Sequence, residues 1–136
     1  DYLDRLYKPS DLNEMLGLCD FVVDCLPVTN ETLGTFSLDK FKVMKPSSMF
    51  INVGRGETVI EEDLHTALLS GEIECAALDV TDPEPLDENS PLWNLENCFI
   101  TPHDSAWGPR APDRAVEVFL SNLERYKRGE KLHNLA

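Results

Sequence analysis

The chain has 136 residues, of which 42% are apolar and 27% charged, a composition typical of a globular domain that buries a core of its own. Its 25 acidic and 12 basic residues give a formal net charge of −13. Because such a field repels nucleic acid and anionic membranes, we expect neither as a partner.

The first part of the chain predicts two helices alternating with two apolar strands. Ser10 is placed to cap a helix over 11–18, whose apolar residues recur at helical spacing. A compact apolar strand is predicted at 20–27, where proline stops it. A short helix follows at 37–44 and ends before Lys-Pro, and the next strand is predicted at 48–53.

The second part continues the alternation. A helix is predicted at 61–71, with acidic residues at its start and glycine at its end. A strand at 74–80 is followed by a proline-rich acidic loop over 81–97. The last strand is predicted at 98–102, and the longest helix runs from about 112 to 128.

This alternation predicts the class of the fold. Continuous apolar strands separated by helices are typical of an α/β protein with a parallel sheet covered by helices on both faces. In such sheets ligands bind beyond the carboxyl ends of the strands. That edge contains Pro27, the Gly54-Arg55 pair, Asp79 and His103.

The four cysteines predict a reduced protein without a metal site. Cys19, Cys25, Cys75 and Cys98 form no C-x-x-C pair and show no metal-ligand spacing. Each lies in or beside an apolar run, where a free cysteine behaves as a small buried hydrophobe. No apolar stretch approaches the ~20 residues that span a bilayer, and DYLDRLYKPS lacks the apolar segment of a signal peptide. We therefore expect a cytoplasmic protein.

The stretch INVGRGET raises the question of a dinucleotide-binding turn. The fingerprint G-x-G-x-x-G requires a third glycine where Val59 stands. Arg55 also places a large charged side chain where the backbone would approach a pyrophosphate. The stretch is therefore not a phosphate-binding loop, and Arg55 needs another explanation.

Three polar residues, Arg55, Glu84 and His103, follow the ends of three predicted strands. Taken singly, they could be a surface cation, a solvated turn residue and a structural histidine. Together they suit the reduction of a 2-oxo acid. Arg55 would hold the substrate carboxylate through two parallel hydrogen bonds. His103 would give a proton to the carbonyl oxygen, and Glu84 would orient and charge His103.

The same residues resemble a known family, the D-isomer-specific 2-hydroxyacid dehydrogenases, which include glyoxylate/hydroxypyruvate reductases and phosphoglycerate dehydrogenases. NVGRG, LDVTDPEPL and TPH occur in the family's order and separations, and the likeness runs from LCDFVVDCLP to GEKLHNLA. It implies a Rossmann-like parallel sheet, incomplete here, with 1–110 as the C-terminal part of the NAD(P)-binding domain. Residues 111–136 would form a long helix and tail that return to the substrate domain.

The resemblance also implies the site residues and the cofactor, NAD or NADP. Arg55, Glu84 and His103 would be catalytic, and the glutamate at 84 argues against a formate dehydrogenase, which carries glutamine there. Asp79 would receive the nicotinamide carboxamide. The other implied cofactor contacts lie on the adenosine side, along the cofactor cleft or near the nicotinamide: Leu26, Pro27, Thr32, Val53 and Ala106.

The family also implies partners and leaves two alternatives open. The full-length enzyme would be a homodimer that acts on a small 2-oxo or 2-hydroxy acid. Related corepressors carry a tryptophan shortly after the histidine, as Trp107 does here, so an NAD-sensing protein that binds partners is one alternative. The other is a folded fragment without activity, because these residues contain no G-x-G-x-x-G turn.

Overall fold

A computed structural model describes residues 2–108 and 110–134. Four parallel strands form one sheet in the order of the sequence. They are β1 (Phe21–Asp24), β2 (Met49–Asn52), β3 (Cys75–Leu78) and β4 (Cys98–Ile100). The α-helices are α1 (Leu12–Leu18), α2 (Leu38–Phe41), α3 (Glu61–Ser70) and α4 (Ala111–Lys127). The predicted α/β class with a parallel sheet is confirmed.

The chain forms two compact units, which meet in the sequence between His103 and Asp104. The first unit contains the sheet and the first three helices. The second contains α4, none of whose residues is buried. The domain division predicted at residue 110 concerns the whole protein and stays a prediction.

The start of α1 differs from the prediction that Ser10 caps it. Pro9 begins a 3₁₀ turn over Pro9–Asp11, since proline suits the first positions of a helical turn. Ser10 therefore lies inside this turn, where its hydroxyl donates to Asp11 Oδ1 at 2.8 Å. The capping prediction is wrong, and α1 begins at Leu12 without a side-chain cap.

The core lies between one face of the sheet and the helices of the first unit. Phe50 on β2 is fully buried, and its ring centroid lies 4.8 Å from that of Phe36 and 5.3 Å from that of Phe41. Leu16 of α1 and Leu64 of α3 belong to the same buried cluster. These contacts fix the helices against the sheet and thereby hold the strand ends in place.

The opposite face of the sheet is apolar but not packed by these helices. Its side chains are exposed in the outer strands, with Phe21 at 68% and Phe99 at 57%. On the inner strands they are half-buried, as at Met49 and Ile51. Residues paired in register share this face, because parallel strands align their pleats. Within the first unit, helices therefore cover one of the two faces.

The cysteines are free, and three of them are half-buried as expected. Cys25 is exposed, which corrects the prediction, because β1 ends one residue earlier and the chain turns outward there. Burial raises the pKa of the Cys98 thiol to about 11. The pKa of Cys75 is also raised, by burial and by the neighbouring Glu74 carboxylate. Both thiols are accordingly poor nucleophiles at neutral pH.

Two features are absent from the described residues, a membrane-spanning helix and a cluster of metal ligands. In residues 2–108 and 110–134, no helix combines the length and apolar character that a membrane span requires. Over the same ranges, His, Cys, Asp and Glu form no group of three or more that could hold a metal ion.

Candidate active site

The Arg55 turn is fixed from within by a buried asparagine at the end of β2. Asn52 Oδ1 accepts a hydrogen bond from the Gly54 N–H at 2.9 Å, and Asn52 Nδ2 donates to the Arg55 carbonyl at 2.9 Å. The side chain is fully buried. Sequence reasoning missed Asn52, although an asparagine two residues before a glycine is a recognisable signal for a side-chain-closed turn.

The two glycines beside Arg55 let its turn contact neighbouring backbone on both sides. A Cβ at Gly54 would lie 2.8 Å from the Leu26 carbonyl oxygen. A Cβ at Gly56 would lie 2.1 Å from the Thr81 carbonyl carbon. The turn is therefore packed between the chain that follows β1 and the chain that follows β3. Only the Arg55 side chain projects from it, and its Nη1 donates to the Gly54 carbonyl at 2.7 Å.

Glu84 and His103 meet at the same edge of the sheet. His103 Nδ1 lies 2.5 Å from Glu84 Oε1, with both side chains a little under half exposed. This is the contact expected from their positions after β3 and β4. A carboxylate on Nδ1 holds the imidazole ring in one orientation and leaves Nε2 as the nitrogen that exchanges a proton. The pair can therefore act as a general acid or base.

The backbone of His103 adopts an unusual conformation. Its φ is +55°, in the left-handed region that residues other than glycine adopt at a cost of ~1–2 kcal/mol. Costs of this kind are concentrated at functional sites, where the surrounding structure imposes them. Here the turn directs the imidazole toward Glu84.

A cleft of about 260 Å³ lies beside this pair and is lined by Asp79, Glu84 and His103. Asp79 is only 5% exposed, and its Oδ1 accepts the Thr101 hydroxyl at 2.6 Å. Arg55 does not line this cleft. The structure thus brings three of the predicted site residues together and leaves Arg55 on the adjoining turn.

A second cleft, of about 390 Å³, is lined by two of the predicted adenosine contacts, Leu26 and Thr32. The Thr32 hydroxyl donates to the Pro27 carbonyl at 2.6 Å and so closes the loop after β1. Glu31 also lines this cleft, and a hydrogen bond with the Thr29 side chain lowers the pKa of its carboxyl group.

The remaining predicted contacts lie elsewhere. Pro27 and Val53 stand at the carboxyl edge but line neither cleft. Ala106 is exposed and belongs to the second unit, as does Trp107. The cofactor role of Pro27, Val53 and Ala106 remains a prediction, as does that of Leu26, Thr32 and Asp79.

Comparison with known proteins identifies the family that the chain resembles. Residues 2–105 match the NAD-binding domain of the D-isomer specific 2-hydroxyacid dehydrogenases. The chain is 40% identical over 119 residues to the glyoxylate reductase/hydroxypyruvate reductase of Homo sapiens, covering 88% of this chain and 36% of that protein.

Two solved structures show the same likeness. A D-isomer specific 2-hydroxyacid dehydrogenase family protein from Aeromonas salmonicida is 42% identical with a TM-score of 0.86, over 96% of this chain and 41% of that one. The NADPH-dependent glyoxylate/hydroxypyruvate reductase from Sinorhizobium meliloti, solved with NADP and sulfate, is 32% identical with a TM-score of 0.86, over 96% of this chain and 42% of that one.

The fold and these likenesses define a nucleotide-binding α/β domain. The chain belongs to the D-isomer specific 2-hydroxyacid dehydrogenase family and matches its NAD-binding domain. It spans 34% to 42% of the length of the first curated relatives that it matches.

Proposed function

We propose that this chain is part of an NAD(P)-dependent dehydrogenase that reduces a small 2-oxo acid to the D-2-hydroxy acid. The observation that carries the proposal is the Glu84–His103 contact at 2.5 Å beside the cleft that contains Asp79. Bound NADH or NADPH supplies the hydride that the substrate C2 receives. His103 Nε2 gives a proton to the carbonyl oxygen, and in the oxidation of the hydroxy acid it takes that proton back.

Arg55 binds the substrate carboxylate in this proposal. Its guanidinium can donate two parallel hydrogen bonds to a carboxylate, and it stands on a turn whose backbone is fixed on both sides. Holding the carboxylate aligns the carbonyl group for transfer, and such alignment is a large part of the catalytic effect. Arg55 thus orients the substrate, while His103 and Glu84 exchange the proton.

The residues present fit the cofactor. The Asp79 carboxyl group is buried and held by Thr101, and it can accept a hydrogen bond from a carboxamide N–H. Leu26 and Thr32 line a mainly apolar cleft of about 390 Å³, which suits adenine and its ribose. In our proposal Pro27, Val53 and Ala106 complete these contacts.

The whole protein would be a cytoplasmic homodimer in which residues 111–136 return to the substrate domain. The exposed apolar side chains of α4, Val116 at 56% and Phe119 at 64%, support a contact between this helix and further protein. Four free cysteines support a reducing compartment.

Turnover by the full-length protein tests the proposed function. We expect glyoxylate or hydroxypyruvate to oxidise NADPH or NADH, followed by absorbance, and the chiral product to be the D isomer. The matched control is glycolaldehyde, which has the carbonyl but lacks the carboxylate that Arg55 binds, so it should react far more slowly. Equal rates with and without the carboxylate, or an L product, would contradict the proposal.

The 136-residue chain by itself is expected to bind NAD weakly and to self-associate. A pyrophosphate normally rests on backbone amides of a glycine turn at a helix N-terminus, and this sequence has no G-x-G-x-x-G turn. The exposed face with Phe21 and Phe99 favours contact between copies. Calorimetric titration with NAD and light scattering measure the two properties.

A charged substitution on that face provides the control. Phe99→Lys places a charge on an edge strand and should shift the chain toward monomer. Micromolar NAD binding by a monomer would refute both expectations.

A further inference from the structure

We infer that Asp24 and Thr58 are positioning residues for Arg55, joined in a buried hydrogen-bonded link between the end of β1 and the turn that follows Arg55. This inference rests on the proposed function, in which Arg55 binds the substrate carboxylate. Neither residue touches the substrate in this proposal. Both act through the backbone of the Arg55 turn.

The link is built from two side chains that are 34 residues apart in the sequence. Asp24 is 2% exposed and Thr58 is fully buried. Asp24 Oδ2 accepts the Thr58 hydroxyl at 2.5 Å, and Asp24 Oδ1 accepts the Leu26 N–H at 2.8 Å. Both carboxyl oxygens of Asp24 therefore have partners, on opposite sides of the strand ends.

Burying the Asp24 side chain costs the folded state free energy, which argues that this residue has a specific role at the site. Asp24 lies on the buried side of β1, two residues after Val22, where an apolar side chain would join the core. Burying a polar group costs free energy unless its hydrogen bonds are made. Among the described residues no salt bridge to Asp24 is formed, so its partners are the neutral Thr58 and Leu26 groups. A buried polar side chain whose hydrogen bonds are all made rigidifies its surroundings, here the end of β1 and the two turns that it joins.

Thr58 passes this constraint to Arg55. The same hydroxyl lies 2.7 Å from the Arg55 carbonyl oxygen, to which Asn52 Nδ2 also donates. A hydroxyl carries a single hydrogen, so at any moment Thr58 donates either to Asp24 Oδ2 or to the Arg55 carbonyl. Asn52 Nδ2 donates to that carbonyl in both cases. The carbonyl of Arg55 is thus surrounded by side chains anchored to β1 and β2.

The link therefore decides where the guanidinium stands. The Arg55 carbonyl is bonded to the Cα from which the side chain extends, so a shift of that carbonyl also shifts the origin of the guanidinium-bearing side chain. A misplacement of about 1 Å at a reacting group can cost ~10²-fold in rate. Loss of the link should weaken the binding and alignment of the 2-oxo acid more than the binding of cofactor.

The test uses steady-state kinetics of the full-length enzyme with two disruptive and two conservative variants. Thr58→Val and Asp24→Leu remove the link, and each should raise KM for the 2-oxo acid roughly 10–100-fold. Thr58→Ser keeps the hydroxyl. Asp24→Asn keeps the acceptor for Leu26 and can donate from its amide to Thr58. Both conservative variants should therefore retain a KM near that of the parent, and KM for NADPH should change little in all four.

A double-mutant cycle with Arg55→Ala separates the inference from the proposed function. If Thr58 acts through Arg55, Thr58→Val should cause no further loss of kcat/KM once Arg55 is alanine. Leu68→Ala is the stability control, because Leu68 is buried in α3 and belongs to no part of the site. It should lower the melting temperature without raising KM.

Each outcome decides one claim. An unchanged KM in Arg55→Ala would overturn the proposed function itself. A raised KM in Arg55→Ala, with normal KM in both Thr58→Val and Asp24→Leu, would overturn the positioning role alone. Additive losses of kcat/KM in the double variant would show that the link gives only general structural support. A rise in KM for NADPH as large as that for the 2-oxo acid would show the same. Where Thr58→Val does not fold, Asp24→Leu carries the same comparison.

Discussion

Replacing His103 by alanine in the full-length enzyme is expected to lower kcat by ~10²–10⁴-fold, the usual effect of losing general acid–base help. Without the imidazole, the substrate carbonyl oxygen must take its proton from water. KM for the 2-oxo acid should change less, because in our proposal Arg55 holds the carboxylate. Steady-state kinetics with saturating cofactor measures both constants.

The left-handed backbone of His103 determines the control. Asparagine tolerates a φ of +55° better than most residues, so His103→Asn should fold as well as the parent. It cannot transfer the proton, however, and kcat should fall as far as in His103→Ala. Glu84→Gln keeps a hydrogen-bonding partner for the ring but removes the charge, so its loss should be smaller. Near-normal kcat in both His103 variants would remove this residue from the mechanism.

The sheet and the Glu84–His103 contact follow from the sequence for the same physical reason. Apolar runs separated by helices require parallel strands, and the carboxyl ends of neighbouring parallel strands meet at one edge. Glu84 and His103 come shortly after β3 and β4, which pair directly. Their contact can therefore be predicted without knowing how the side chains pack.

The hydrogen-bonded link between Asp24 and Thr58 could not be predicted in this way. Asp24 and Thr58 lie in segments without a periodic signal, and their contact depends on the detailed course of two turns. An aspartate at the end of an apolar strand looks like an ordinary boundary residue. The exposed position of Cys25 was missed for a related reason, because the hydrogen bond from Leu26 to Asp24 ends β1 before it.

The sequence predicts helices on both faces of the sheet, whereas within the first unit helices cover only one of them. Alternation of buried and exposed residues appears along β1 only in the structure, because Phe21 and Val23 are as apolar as their buried neighbour Val22. Composition indicates that both faces favour burial. Composition does not identify which part of the protein covers the second face.

Replacing Gly56 by alanine is expected to destabilise the fold by ~3 kcal/mol or more, at or above the upper end of the usual cost of overpacking. The new Cβ would lie 2.1 Å and 2.2 Å from the carbonyl carbon and oxygen of Thr81, and 2.6 Å from the Asp82 nitrogen. All three are backbone atoms, so no side chain can turn away to relieve the clash. Denaturant unfolding of the parent and the variant measures the loss.

The same substitution should also damage the site, because the displaced backbone leads directly to Glu84. Gly54→Ala should cost less than Gly56→Ala, since its closest backbone contacts are 2.8 Å and 2.9 Å, to Leu26. Gly108→Ala is the control, because a Cβ there would meet no heavy atom of the other described residues within 4 Å, its chain neighbours aside. Where Gly56→Ala still folds, kcat should fall together with the Glu84–His103 contact. An order of stability other than Gly108→Ala above Gly54→Ala above Gly56→Ala would show that the strand-end loops are not packed as closely as described.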